Sequence, residues 1–542
     1  MPLSLVRCRR RRGVFVPLSS VLLCSMAGFS AGPARGAELR FSVAEDPKSF
    51  DPLLAADRPS EFIRYITSGV LVRIDRATDQ VEPELAESFQ ISPDGRAITF
   101  HLRPGLKFSD GSPFAAADVA RTMSTVLDPA KAAPKGDSLR SEKGDPEVHV
   151  ASPLEITVRY PVPKPDLARL FDTLSIIPAS IPASKDRLPA SAGPFYVAEY
   201  RPGESIRLAR NPYYWKRAAL DSIRMDIQPN HDIEVARFLR GELDLINKLD
   251  PENFDHIAKQ NLAAARNLGP SLDSEILWFN QAPSTAFPEW KRAWFRSAAF
   301  RHAVSRAIQR DDIARIVFRG HARPASGPVS PANRFWFNAE LKALPYDEAG
   351  ALRMLAAEGF RLSDGVLRDS AGHEVEFSLI TNAGNRAREA MAAVIQDDLK
   401  HIGIRVNIVS LDFGSLIERI TKTSQYEACL LGFSNAQIEP AEQMNVWLSS
   451  GAQHAWWPRQ KSPATPWEAR IDRLELTQAS ELSRSARKKA FDEVQKIVVA
   501  EEPIIYLVNP DYLVAISPSV RDARPVAAPP QVLWNIGSLR IR

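Results

Sequence analysis

The chain has 542 residues, 44% hydrophobic and 25% charged, the composition of a soluble globular protein with room for two to four domains of roughly 150 residues. Its net charge of +4 does not argue for a nucleic-acid partner, because six arginines and no acid fall within the first 37 residues; beyond them 63 basic residues face 65 acidic ones, a net charge of −2. Cys8 and Cys24 also lie in that segment, so only Cys429 remains, which excludes an internal disulfide or a thiolate metal site downstream.

Residues 1–37 carry Arg7 and Arg9 to Arg12, then an apolar run over 14–26, then small residues ending near Ala34-Arg35-Gly36. That order is the pattern of a secretory signal peptide, and the apolar run is too short to span a bilayer. Arg11-Arg12 leaves open whether export is by a twin-arginine route. The predicted location is the bacterial periplasm.

Residues 39–43 read as a strand and 62–72 as a helix with Ile63, Ile66 and Val70 inward. A hairpin follows. Ile98, Phe100 and Leu102 alternate with Thr99, His101 and Arg103, and Ser92-Pro93-Asp94-Gly95 is the turn before them. Asp118 falls in the first turn of a helix carrying Val119, Met123 and Leu127 on one face. Proline-rich stretches at 161–165 and 178–189 mark the exit from this unit. Strands then flank Pro202-Gly203, and a helix over 233–240 precedes a strand at 243–246. Beyond Leu277, helices are predicted near 297–318, 347–358, 386–402 and 485–500, with strands at 375–379, 406–409 and 428–431. This alternation predicts α/β lobes with largely parallel sheets.

Catalytic patterns are scarce. No Walker loop, dinucleotide fingerprint or His-Glu-x-x-His pair is present, and the nine histidines lack metal-ligand spacing. Gly432-Phe433-Ser434-Asn435-Ala436 approaches a nucleophile elbow but lacks the closing glycine. Asp311-Asp312 and Asp397-Asp398 fall in helical runs, where solvated faces explain them. No catalysis, cofactor or metal is expected. Two lobes in such a chain point to a cleft that closes on a ligand.

Ser49-Phe50-Asp51-Pro52, Leu85-Ala86-Glu87-Ser88-Phe89, Ala192-Gly193-Pro194-Phe195, Arg210-Asn211-Pro212-Tyr213-Tyr214-Trp215, Gly241-Glu242-Leu243-Asp244 and Leu277-Trp278-Phe279-Asn280 occur in that order. In that order and spacing the chain resembles the extracellular solute-binding proteins of ABC importers, family 5, which includes oligopeptide-, dipeptide- and nickel-binding receptors. The resemblance implies an α/β, two-lobed periplasmic binding protein of type II-like architecture with an extra domain inserted in lobe one. Lobe one would comprise 38–75, 189–275 and a C-terminal return at 505–542; the extra domain would be 76–188 and lobe two 276–504. It implies capture of a peptide-like or other polar solute, delivery to an ABC permease complex in the inner membrane, and action as a monomer. A ligand-binding sensor or chaperone without a transporter, and a secreted hydrolase using Ser434, are the alternatives.

Peptide-binding members carry a Gly-Trp-x-x-Asp-Tyr stretch whose aspartate pairs with the peptide ammonium. The matching residues here are Gly432-Phe433-Ser434-Asn435-Ala436-Gln437, so Ala436 stands where that aspartate would be. A desolvated ammonium without a counter-charge costs several kcal/mol, which argues against a free peptide N-terminus. The expected ligand-facing residues are Asp57, Trp278, Asn280, Arg386, Phe433, Ser434, Asn435, His454, Trp456 and Trp457, where aromatic faces with amide and guanidinium donors would suit a blocked peptide, a sugar or an anionic conjugate. Each has a competing packing role, the two adjacent tryptophans above all.

Overall fold

The computed structural model describes residues 37–141, 143–179, 189–283, 287–433 and 439–542. Residues 1–36, within the segment read as a signal peptide, and Ser434, Asn435 and Ala436 lie outside the described residues.

The predicted hairpin is formed by strands Ala86–Ile91 and Ala97–Leu102, paired antiparallel. Its apolar face is the expected one: Ile98 and Phe100 are fully buried and Leu102 nearly so. Two further antiparallel strands, Glu155–Arg159 and Glu147–Ser152, complete a four-stranded sheet. Helix Ala116–Val126 lays Val119, Met123 and Val126 into the same apolar cluster. Asp118 does more than complement the helix dipole, since its carboxylate accepts from Ala115 N and Ala179 N, both at 2.7 Å. It thereby ties the helix start to the segment leaving the unit.

The first lobe is built on strand Glu38–Val43, which runs parallel to Ser222–Ile227 on one side and Leu245–Leu249 on the other. In the second lobe Glu376–Asn382 runs parallel to Arg405–Leu411 and Ala428–Phe433. The sheets are nonetheless mixed rather than largely parallel. Strands Ser205–Arg210 and Phe195–Arg201 add an antiparallel meander to the first. Ser274–Phe279 runs antiparallel to Ala428–Phe433 in the second, because it enters from the other lobe.

One strand, Ile504–Ile516, belongs to both lobes. Its Ile504–Val508 half pairs with Ser274–Phe279, and its C-terminal half pairs with Leu245–Leu249 and Ala265–Pro270. The apolar packing changes at the same place: Ile505, Leu507 and Val508 pack in the second lobe, and Tyr512, Val514 and Ile516 in the first. Residues 271–273 and 509–511 therefore form the two crossings. They are hydrogen-bonded together, Ser271 N donating to Pro510 O at 2.8 Å and Asn509 Nδ2 to Asp273 O at 3.1 Å and Ser274 Oγ at 2.8 Å.

Helices Arg386–His401 and Arg484–Glu501 match the predicted ones closely, the first burying Met391, Ala392, Ile395 and Leu399. Helix Pro466–Ser480 was not expected from the sequence. It buries Glu468, Glu475 and Gln478 beside Ile471, so polar residues occupy positions that a helical apolar period needs. Between the four-stranded unit and the second lobe run ion pairs from Arg484 to Asp79 at 2.7 Å and from Arg487 to Asp166 at 2.6 Å. Among the described residues no helix is long and apolar enough to cross a membrane.

Candidate functional site

In open α/β sheets the ligand crevice lies beyond the carboxyl ends of the parallel strands, where the following helices begin. Three such ends bear on the lobe crossing. Strand Leu245–Leu249 leads to helix Pro251–Gln260, capped by Asp250, and strand Glu376–Asn382 to helix Arg386–His401, capped by Asn385. Helix Arg58–Thr67 follows the first strand and is capped by Asp57. Helix starts present unpaired N–H groups and partial positive charge.

The charged side chains at these ends interact across the lobes. Lys248, on the first-lobe strand, feels Arg58 from the same lobe and Asp273, Glu275 and Arg388 from the crossing and the second lobe. Its side chain is open to solvent, yet burial, followed by Arg58, lowers its ammonium pKa. Arg388 donates Nε to Glu275 at 2.9 Å and Nη1 to Asn382 at 2.9 Å. Its guanidinium lies directly over Gly432, where a Cβ would collide with Nη2, so the glycine is what admits the arginine. Arg58 donates to the Tyr512 hydroxyl at 2.7 Å; burial raises that phenol to about 12 in spite of the arginine.

The residues singled out from the sequence separate into three groups. Phe433, half-buried, ends the strand carrying Gly432 and pairs with Ser274, which puts it beside the Glu275–Arg388 pair. Asp57 is next to Arg58, but its carboxylate is occupied: it accepts from Ser60 N and Oγ and from Lys48 N, and these bonds outweigh burial and hold its pKa low. Arg386 is exposed at the helix start, two residues from the arginine that does enter the site.

Trp278, Asn280, His454 and Trp456 are interior. Trp278 is buried and donates to the Tyr426 hydroxyl at 3.1 Å, and Asn280 donates to Ser424 O and Tyr426 O at 2.9 and 3.0 Å, fixing the chain just beyond the crossing. His454 is fully buried, bonded to Val446 O at 2.9 Å and packed on Trp456 with ring centroids 3.8 Å apart. Glu468 gathers this cluster, accepting from Trp456 Nε1 at 3.0 Å, Gln460 at 2.8 Å and Thr465 at 2.9 Å. Trp457 is half-buried with Arg296 over its ring at 4.9 Å. Trp278, His454 and Trp456 pack as second-lobe core with their polar edges bonded to protein groups.

Lys248, Glu275 and Arg388 were not found in the sequence. A faint signal existed for the first: a lysine interrupting Leu245-Ile246-Asn247 and Leu249 just before a helix cap. Glu439, beside the expected cleft, is taken by Arg487. Among the described residues no three His, Cys, Asp or Glu side chains are grouped so as to hold a metal ion.

The model of the bacterial extracellular solute-binding proteins, family 5, matches residues 80–455. The chain belongs to that family. It is 26% identical over 530 residues to a probable ABC transporter-binding protein of Deinococcus radiodurans, covering 87% of this chain and 86% of that one. It is 26% identical over 513 residues to the oligopeptide-binding protein AppA of Bacillus subtilis, covering 90% and 89%. Among solved structures, NikA from Brucella suis with Fe(III)-EDTA superposes with a TM-score of 0.79 at 21% identity, covering 93% of this chain and all of that one. AppA from Bacillus subtilis with a nonapeptide gives 0.72 at 23%, covering 94% and 100%. The family is one of binding proteins, and the two-lobed fold with a large α/β sheet is that of these neighbours.

Proposed function

We propose that this family 5 protein is the substrate-binding component of an ABC importer, exported to the periplasm by its N-terminal segment, acting as a monomer, and capturing a peptide-like solute between two hinged lobes. The observation that carries this reading is the double crossing. Among the described residues the chain passes between the two sheets at 271–273 and 509–511, the apolar clusters separate there, and charged groups from both lobes bear on one another beside it. Crossing strands flanked by separate cores permit rigid-body closure. The curated relatives' names, an ABC transporter-binding protein and an oligopeptide-binding protein, supply the transport partner and the ligand class.

Among the described residues the ionisable groups of the site are engaged with one another. Its carboxylate Glu275 is neutralised by Arg388, and its phenol Tyr512 is bonded to Arg58. Mass spectrometry of the small molecule that accompanies the protein purified from its own periplasm tests the proposal. An intact solute bound near one per chain is expected. An empty protein, or one that converts the solute it is given back, would overturn it.

A further inference from the structure

Resting on the reading of two hinged lobes, we propose that the four-stranded unit carries a releasable clasp, in which Asp79 and Asp166 hold Arg484 and Arg487 of the second lobe and keep a fraction of the solute-free protein closed. The unit meets its two neighbours in different ways. With the first lobe it shares one apolar cluster, Leu53, Leu71 and Ala192 packing with Ile98, Phe100 and Val119. Gly69 lies so close to Leu85 and Ala192 that a Cβ would collide with both. Parting these surfaces would expose the cluster to water, so the unit moves with the first lobe. Toward the second lobe it offers ion pairs, and the apolar side chain that its hairpin turn meets, Leu482 against Gly95, stays 44% exposed.

The two halves of the clasp match. Arg484 and Arg487 fall at the start of helix Arg484–Glu501, three residues apart and so on one face. Arg484 donates Nη2 to Asp79 Oδ2 at 2.7 Å, and Arg487 donates Nη1 to Asp166 Oδ2 at 2.6 Å. Both aspartates stand on turns with positive φ, 63° and 49°. Arg169, in the helical turn Leu167–Asp172 that Asp166 opens, donates Nη1 to Asp79 O at 3.0 Å and so holds the two carboxylates in register. The pairs can part because the charges keep partners on their own side. On opening, Asp79 keeps Arg169, Arg487 keeps Glu439 and the Gln478 carbonyl, and Arg484 keeps the Phe335 ring, over which its guanidinium lies at 3.9 Å. Asp166 gives up its ion pair, but its side chain is already 24% exposed and regains water. A buried charge left without any partner would make opening costly, whereas charges that retain one lose little, so these pairs bias closure without locking it.

The test is single-molecule fluorescence transfer on the solute-stripped chain starting at Ala37, with dyes on cysteines introduced at the exposed positions His149 in the four-stranded unit and Lys422 in the second lobe; Cys429 is buried and stays unlabelled. The wild type is expected to alternate between the ion-paired arrangement and an open one. Asp166→Asn combined with Arg484→Gln should lower the closed-to-open ratio by about 10-fold, the loss of one charge-assisted hydrogen bond and one part-exposed pair, and each single change should give part of that. Asparagine accepts the left-handed backbone at 166, so the turn is kept. Arg484→Lys should retain most of the ratio, and Arg159→Gln, which removes an exposed pair with Asp94 inside the unit, should leave it unchanged. Circular dichroism with thermal melting confirms that the variants fold. A wild type without a closed population, or an unchanged ratio in the double variant, overturns the clasp while the hinge stands. One fixed transfer efficiency in wild type and variants alike removes hinge and clasp together.

Discussion

Two buried glutamates on one helix are predicted to have opposite effects on stability. Glu468 and Glu475 lie two turns apart on Pro466–Ser480, 2% and 0% exposed. Burial pushes both toward the neutral acid. At Glu468 this is overcome by donors from His454, Gln460, Trp456 and Thr465, which bring its pKa down to about 2. At Glu475 only Gln478 donates and one carboxylate oxygen has no partner, so burial prevails and the pKa rises to about 8.

For Glu468 the folded pKa is below the unfolded value of about 4.5, so its stabilisation is present above pH 4.5 and is lost as pH falls toward 2; about 2.5 units correspond to about 3 kcal/mol. For Glu475 the folded pKa is above the unfolded value, so its carboxyl favours the folded state only below about pH 4.5. That contribution is lost as pH rises through 8, and by pH 7 keeping the proton costs about 3 kcal/mol. At pH 7, Glu468→Gln should destabilise and Glu475→Gln should stabilise by amounts of that order. The shifts are about 3 °C each if the chain melts as one unit, and larger if the second lobe melts alone. Urea unfolding followed by tryptophan fluorescence at pH 4, 5.5 and 7 measures both. Equal signs at pH 7, or variants whose pH dependence matches the wild type, would refute the reasoning.

Other perturbations follow from the same contacts. Arg487→Met leaves Asp166 and Glu439 without their buried partner and should cost about 3–5 kcal/mol in denaturant unfolding, since removing one member of a buried pair strands the other charge. Asn509→Ala removes two bonds between the crossings and should cost about 1–3 kcal/mol, with faster hydrogen exchange at 271–274 as its local signature. Gly193→Ala places a Cβ against the Thr67 and Ser68 backbone and should lower the melting temperature by several degrees, whereas Gly105→Ala, with open space around it, pays only for its positive φ.

The fold was legible where burial follows a simple period. Ile98, Phe100 and Leu102 alternate and are buried as expected, and the long helix at Arg386–His401 has apolar residues at helical spacing. It was illegible where polar residues are buried. Helix Pro466–Ser480 hides its inner face behind Glu468, Glu475 and Gln478, and Asn509-Pro510-Asp511 reads as a chain break although the strand continues through it into the other lobe. The cleft was harder still. Trp278, Trp456 and His454 look like binding residues in a sequence, but here their polar edges are satisfied within the core. Lys248, Glu275 and Arg388 are single charges at strand and helix ends, brought together only by the crossing.

The central claim, that two bodies joined at 271–273 and 509–511 close on a solute, is tested most directly by a distance across them. Cys429 is fully buried, so cysteines introduced at the exposed positions Lys48 in the first lobe and Lys422 in the second can be spin-labelled selectively in a chain starting at Ala37. Pulsed electron resonance should show a broad, shifted distribution after the co-purified solute is stripped, and its return to a single narrow distance when that solute is restored. One unchanged distance in both states would contradict the hinge and with it the account of capture.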